Sequence, residues 1–386
     1  MKWEGITGAL LAVIVAAAAG VWVYGRYQQK PVVAEERTPG ETPGLRPRDP
    51  GQYVKVLAID GDGLRVIPAL HCLAYLEKRS GRPIWELFDV IVGSSAGGLV
   101  AAALTLPAGP DKARFTAQEV LDNFPAWWTR ISRAPRHHPI LSAGGRTAPR
   151  LLTRERRTVI SEIFGNTQTG EALTTIILPA FALEDRAPFL FASDMGKSTT
   201  PSTAAGRAAT EAGDFFLADA VMAATADPAV FAPSQIRSID REQTLTVTGP
   251  QLYAANPVLL AAAESLLRHP GRACVVISFG AGVVEAPPAS ELRELGWDRT
   301  ADPAALVRMA GEASDVIENQ IASTFHRFGS GPLAGYVRLE AILPAGAADP
   351  YDTSAANLER LQAASRKLIL EKYNALDRTA DFLAEP

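Results

Sequence analysis

The stretch Phe88–Pro107, FDVIVGSSAGGLVAAALTLP, constrains the fold more than any other part of the chain. An apolar run stops at Gly93, small residues surround Ser95, and a second apolar run follows at once. This order predicts a buried strand, a sharp turn, and a buried helix that ends at the proline. Residues Gly93 to Gly97 also fit the pattern G-x-S-x-G, which presents a serine hydroxyl at a helix start. Ser95 is therefore a candidate nucleophile, the alternative being a joint of small residues without chemistry.

Strand-like and helix-like segments alternate from Tyr53 to the end of the chain, which predicts an α/β fold with a mostly parallel sheet covered on both faces. The 386 residues, 47% hydrophobic and 21% charged, are sufficient for a sizeable core. The net charge of −4 argues against nucleic-acid binding. The two cysteines, Cys72 and Cys274, lack metal-ligand spacing and are expected to be buried free thiols.

The N-terminal segment Gly5–Gly25 carries no charged residue and has aromatic residues near its ends. Because about 20 apolar residues can cross a bilayer as a helix, we expect an uncleaved anchor, with a cleaved signal as the alternative. The expected location is the bacterial inner membrane, as a single-pass protein whose orientation the flanking charges leave open. The predicted divisions are an anchor at 1–29, a proline-rich linker at 30–52 and one globular domain at 53–386.

Several segments, in order, resemble the patatin-like phospholipase family. They are VLAIDGDGLRVIPALHCLAYLEKRSGRPIWELFDVIVGSSAGGLVAAAL, AATADPAVFAP, AANPVLLAAAES and VVISFGAG. The resemblance implies a three-layer α/β/α fold and a lipid acyl hydrolase that uses a serine–aspartate dyad, with no cofactor and no metal. Its implied partners are membrane phospholipids or other acyl lipids; it implies no nucleic acid, and it leaves protein partners open.

The resemblance also assigns roles around the serine. Gly93 and Gly97 correspond to the glycines of the nucleophile turn. The family's glycine-rich oxyanion loop corresponds to Gly61, Asp62 and Gly63, with Arg65 steadying the loop or a phosphate. Asp62 stands where the family has a glycine, and Val66 replaces the last glycine of the loop. A carboxylate there would repel an oxyanion, and its Cβ would resist a positive φ.

The aspartate of the family's dyad has no counterpart in its usual slot, which Thr248 occupies in this chain. A threonine hydroxyl cannot act as a base near neutral pH, and loss of a base costs about 10²–10⁴ in rate. Asp62, Asp227 and Asp240 are the acids that could substitute. Two functions therefore stay open: a phospholipid acyl hydrolase, impaired if no base is present, and a catalytically inactive membrane-anchored lipid-binding or regulatory protein.

The arginine-rich segment from Arg130 to Arg157 is a further feature of the middle of the chain. It has two interpretations. One is a basic lip that meets anionic headgroups, and the other is a solvated insertion whose arginines pair with distant acids.

Overall fold

The computed structural model of the chain describes residues 53–132, 149–194, 214–228, 230–285, 303–328 and 333–385. The predicted anchor at 1–29 and linker at 30–52 lie outside these residues. Within them, no helix has the combination of length and apolarity that crossing a membrane requires. The expected single-pass membrane location is corrected by this finding.

Nine helices and twelve strands make up the described part of the chain. The helices are α1 Ile67–Ser80, α2 Ile84–Leu87, α3 Ser95–Thr105, α4 Ala117–Ser132, α5 Thr153–Phe164, α6 Leu217–Ala224, α7 Val258–Arg268, α8 Pro303–Phe328 and α9 Ala355–Ala384. The strands are β1 Tyr53–Ile59, β2 Val90–Gly93, β3 Pro107–Gly109, β4 Lys112–Ala113, β5 Thr175–Ala182, β6 Ala187–Ala192, β7 Ser234–Arg237, β8 Thr244–Thr248, β9 Ala273–Phe279, β10 Val283–Val284, β11 Leu333–Leu339 and β12 Ile342–Leu343.

Eight of the strands form one mixed sheet in the order β11-β9-β1-β2-β5-β8-β7, with β6 also paired to β5. The five strands from β11 to β5 run parallel. β6 and β8 are antiparallel to β5, and β7 is antiparallel to β8. The predicted parallel sheet is therefore confirmed for its centre, while the edge beyond β5 is antiparallel.

Helices cover both faces of this sheet because side chains along its central strands alternate between two cores. Leu57 and Ile59 of β1 belong to the larger core, which contains residues of α1, α3, α4, α5, α6 and α9. Val56 and Ala58 of the same strand belong to the smaller core, against α7 and α8. The result is the predicted three-layer α/β/α arrangement, and it places the carboxyl ends of β1 and β2 side by side.

Helix α3 confirms the reading of the apolar run that follows Ser95. All eleven of its residues are buried, and it ends at Thr105, two residues before Pro107. Small residues make this burial possible, since alanine and glycine allow close approach of the neighbouring strands and helices. The two cysteines are also buried and free, as expected.

Candidate active site

Ser95 lies at a sharp turn between β2 and α3 with a φ of 44°, a strained value for a residue with a Cβ. Glycines flank the turn because the chain crowds it. A Cβ on Gly93 would overlap the carbonyl oxygen of Gly97, and one on Gly97 would lie 2.5 Å from the carbonyl oxygens of Ile59 and Asp60. The glycine spacing predicted from sequence therefore has a steric cause at both positions.

Asp227 is the acid that meets this serine. The Ser95 hydroxyl donates a hydrogen bond of 2.8 Å to Oδ1 of Asp227, and both side chains are buried. The aspartate lies in the short turn after α6, with its amide bonded to the carbonyl of Thr225. The other two candidate acids point elsewhere: Asp240 accepts from Ser238 in a surface turn, and Asp62 pairs with Arg65.

Thr248, in the dyad slot of the family, anchors the segment that carries Asp227. Its hydroxyl donates to the carbonyl oxygen of Ala226 at 2.8 Å, and the amide of Gly249 donates to the same oxygen at 2.7 Å. The end of β8 therefore holds the residue that precedes Asp227. Asp227 therefore lies close to the slot in which the sequence lacks an acid.

Two further side chains hold the Asp227 carboxylate. Tyr351 donates its hydroxyl to Oδ2, and Gln251 donates its amide to Oδ1. Burial raises the pKa of Asp227 to about 6, and the hydrogen bonds from Tyr351 and Ser95 oppose this by favouring the charged form. Tyr351 is itself stacked against Trp128, at 5.8 Å between ring centroids, and Trp128 donates to the carbonyl of Pro350 at 3.1 Å.

A buried cation lies behind this carboxylate. Arg156, with no exposed surface, places its guanidinium 4.4 Å from the ring centroid of Phe231 and donates to the carbonyl of Met222 at 2.9 Å. Burial lowers its pKa to about 9, while the charge of Asp227 raises it. Arg156 therefore stays protonated at neutral pH and favours the ionised form of Asp227. Residues 133–148 of the arginine-rich segment lie outside the described part of the chain. Within the described part, Arg156 and Arg157 are buried, so neither belongs to a surface lip.

The glycine loop after β1 lies directly against the nucleophile. A Cβ on Gly61 would overlap the Ser94 carbonyl oxygen and lie 2.7 Å from Cβ of Ser95. Gly63 has a φ of 54°, and a Cβ added to it would overlap the carbonyl oxygen of Pro350. Across the described residues, the amides of Gly61, Asp62 and Gly63 donate to no protein acceptor. These N–H groups are therefore available to a negatively charged oxygen.

Asp62 behaves differently from the sequence expectation. The φ of Asp62 is −147°, so the residue with a positive φ in this loop is Gly63 and not Asp62. Its carboxylate forms an ion pair with Arg65. Arg65 also donates to the carbonyls of Ala281, at 3.2 Å, and Gly282, so its guanidinium binds the loop and the neighbouring chain. Arg65 therefore pairs with the carboxylate beside the amides, although, besides burial, the charge of Asp62 still contributes to raising the pKa of Asp227. Val66 is a buried core residue.

A second charge cluster lies around Asp60, the residue that precedes Gly61. Asp60, Asp315 and Glu340 bring one oxygen each within 4.8 Å of one another, a grouping that could suit a metal ion. The guanidinium of Arg338 fills this role, because it donates to Asp60 at 2.7 and 3.0 Å, to Asp315 at 2.7 Å and to Glu340 at 3.2 Å. Burial raises the pKa of Asp60 to about 7 against the lowering effect of Arg338.

A pocket opens onto this arrangement, with about 700 Å³ of empty space counted out to the solvent. The pocket is lined by Gly61 and Asp227, which both contact Ser95. Apolar residues such as Val230 and Val307 also line it. Tyr351, Gln251, Arg156 and Arg338 were not singled out by the sequence. The sequence around Tyr351 is typical of a turn, with Asp349, Pro350 and Asp352 beside it, so it gives no sign of a role at the site.

Tyr351→Phe is expected to shift the pH dependence of any reaction that uses Asp227 as a base. Activity should fall as the pH drops through the pKa of Asp227, about 6. Removal of the tyrosine hydroxyl takes away a bond that favours the carboxylate, so the acidic limb of kcat/KM should move up by about 1 pH unit. The control is Tyr253→Phe, whose hydroxyl donates to the carbonyl of Ala180 at 2.7 Å. An unchanged limb in the Tyr351 variant would contradict the assignment.

Comparisons with known proteins identify relatives of this chain. The family described as patatin-like phospholipase matches residues 57–253. Patatin-like protein 7 of Arabidopsis thaliana is 26% identical over 382 residues, which cover 91% of this chain and 72% of the relative. Patatin-like protein 3 of Oryza sativa subsp. indica is 29% identical over 321 residues, covering 78% and 70%. The protein named "Probable inactive patatin-like protein 9" of Arabidopsis thaliana is 25% identical over 303 residues, covering 72% and 73%.

The family match spans more than half of the chain and includes the serine turn, the glycine loop and Asp227. The relatives extend the similarity over most of the remaining length. On this evidence, the chain belongs to the patatin-like phospholipase family, a family of lipid acyl hydrolases.

Proposed function

We propose that this protein hydrolyses acyl esters of phospholipids, with Ser95 as nucleophile and Asp227 as its general base. The observation that carries the proposal is the buried 2.8 Å hydrogen bond from the Ser95 hydroxyl to Oδ1 of Asp227. Serine acyl transfer requires at least a nucleophile in contact with a base. Ser95 is also held on a strained strand-to-helix turn. Thr248 then acts by anchoring the base and takes no proton.

Acylation follows from this contact. The Ser95 oxygen attacks the ester carbonyl while its proton passes to Asp227, and the carbonyl oxygen becomes an oxyanion. The amides of Gly61, Asp62 and Gly63 donate to that oxygen, helped by the start of α3. Asp227 then returns the proton to the leaving alcohol, which departs as the lysolipid, and an acyl-serine remains.

Deacylation repeats these steps with water. Asp227 takes a proton from the attacking water, the same amides hold the second oxyanion, and the proton returns to Ser95 as the fatty acid leaves. The pKa of about 6 suits this work, because the carboxylate is mostly ionised at pH 7 yet more basic than an ordinary aspartate.

A catalytically inactive lipid-binding protein is the second candidate. The threonine in the family's dyad slot favours it, and one relative is itself named as probably inactive. In that case the pocket would hold an acyl lipid without cleaving it. The two candidates differ in one property, the reactivity of the Ser95 hydroxyl.

The test compares the full-length protein with Ser95→Ala for fatty acid release from mixed phospholipid micelles and for covalent labelling by a fluorophosphonate. Both signals should vanish in the variant. Ser94→Ala is the matched control, because the neighbouring hydroxyl has no hydrogen-bond partner in the described structure. Equal release and labelling in all three proteins would overturn the hydrolase proposal and leave lipid binding.

A further inference from the structure

Most exposed large apolar side chains of the described residues lie on segments that also line the pocket. Twelve such side chains occur in the described residues, and nine lie on segments that border the pocket. We refer to these nine as the apolar rim: Leu252, Val283, Leu306, Met309, Val316, Ile317, Ile321, Phe325 and Ile342. The other three, Leu183, Leu370 and Tyr373, lie on other segments.

Helix α8 supplies six members of the rim: Leu306, Met309, Val316, Ile317, Ile321 and Phe325. At 3.6 residues per turn, these side chains spread over about half of the helix circumference, and they extend along about five turns. Val316 is 67% exposed and Phe325 58%. Other residues of the same helix, Val307, Gly311 and Asp315, line the pocket. Helix α8 therefore lines the candidate active site with one set of residues and exposes apolar side chains to solvent with another.

The remaining members come from two other edges of the pocket. Val283 and Ile342 are paired in register between β10 and β12. Val283 directly follows Gly282, which lines the pocket. Leu252 follows Gln251, which also lines the pocket and donates to Asp227. Three segments that line the pocket therefore also carry exposed apolar side chains.

The charges beside the rim are balanced. Among its exposed neighbours, Arg308 and Arg327 are cationic, and Glu285 and Glu312 are anionic. A surface of this kind has no preference for an anionic partner, whereas contiguous exposed apolar side chains mark a site of association. The partner that fits is apolar inside and neutral overall at its surface.

We propose that the apolar rim docks onto the surface of zwitterionic phospholipid aggregates and brings their acyl chains to the pocket. This inference rests on the proposed function for its purpose, while docking itself needs no catalysis. The exposed apolar side chains of α8 enter the interface between headgroups and acyl chains, as those of an amphipathic helix lying parallel to that surface do. The pocket face of α8 then meets a lipid withdrawn from the same surface.

The docking test uses a local probe on the full chain carrying Ser95→Ala, so that no lipid is cleaved. Val316→Cys is labelled with an environment-sensitive dye; Cys72 and Cys274 are buried and will not compete. Phosphatidylcholine vesicles should shift its emission to the blue, and brominated acyl chains should quench it. The same dye at Leu370→Cys, 79% exposed on α9, should respond to neither. Equal responses at the two positions, or a response at Val316 only with phosphatidylglycerol, would overturn the proposal.

A second arm measures turnover with Ser95 intact. The triple variant V316Q/I317Q/F325Q should hydrolyse phosphatidylcholine vesicles about tenfold more slowly and a water-soluble short-chain ester at the normal rate. L183Q/L370Q/Y373Q, which replaces three exposed side chains outside the rim, should retain both activities. A dimer that dissociates in the rim triple variant would assign the rim to a second copy and overturn lipid docking. If neither substrate is hydrolysed while the Val316 probe still responds, the proposed function fails and docking stands.

Discussion

Asp227→Asn is expected to lower phospholipid hydrolysis by about 10²–10⁴-fold, the typical contribution of a positioned base. Asparagine keeps the size of the side chain, but it replaces one of the two oxygens that accept from Tyr351 and Gln251 with an NH2 group, and it cannot accept the proton of Ser95. The loss should appear in kcat at every pH, because no ionisation remains to restore the base. Initial rates of fatty acid release from mixed micelles between pH 5 and pH 9 measure it.

Asp240→Asn is the matched control for this prediction. Asp240 was an equal candidate from sequence, but it accepts from Ser238 in a surface turn. Its variant should retain the normal rate. If Asp240→Asn lost activity and Asp227→Asn kept it, the base would be assigned to the wrong acid.

Gly61→Ala should lower kcat/KM by about 10²–10³, comparable to loss of an oxyanion donor. The added Cβ would overlap the Ser94 carbonyl oxygen and lie 2.7 Å from Cβ of Ser95. Because these are main-chain and nucleophile atoms, the loop has to move, and its amides move with it. Fatty acid release measures the loss, and circular dichroism shows whether the sheet and helices persist.

The control for this variant is Gly109→Ala. Gly109 lies in the β3–β4 hairpin, and a Cβ added there would have no heavy atom within 4 Å. It should leave activity and the unfolding temperature unchanged. Normal hydrolysis by Gly61→Ala would show that the loop after β1 does not hold the oxyanion.

The sequence carried the framework of this site because its strongest signals are local. The turn around Ser95 and the loop around Gly61 depend on glycines placed a few residues apart, and steric crowding makes such spacing readable. The same signals misled at Asp62, where substitution of a glycine suggested a positive φ. The backbone instead uses that conformation one residue later, at Gly63.

The sequence named Asp227 as one of three candidate acids but could not choose among them, because the contact with Ser95 depends on distant segments. Asp227 and Ser95 are 132 residues apart, and Tyr351 is 124 residues beyond Asp227. A family slot at Thr248 pointed to the right neighbourhood but to the wrong side chain. Arg156 was hidden for a related reason: in a run of arginines, composition cannot distinguish a buried guanidinium from a solvated one.

The carbonyl of Pro350 has a consequence for how the protein comes into being. It accepts hydrogen bonds from Leu64, at 3.0 Å, and from Trp128, and the next residue supplies the hydroxyl that holds Asp227. A ribosome makes Ser95 and Asp227 long before this residue. The growing polypeptide therefore holds this pair before the last segment of its surroundings exists. The hydrogen bonds around Asp227 are expected to be complete only once Tyr351 has emerged and folded against it.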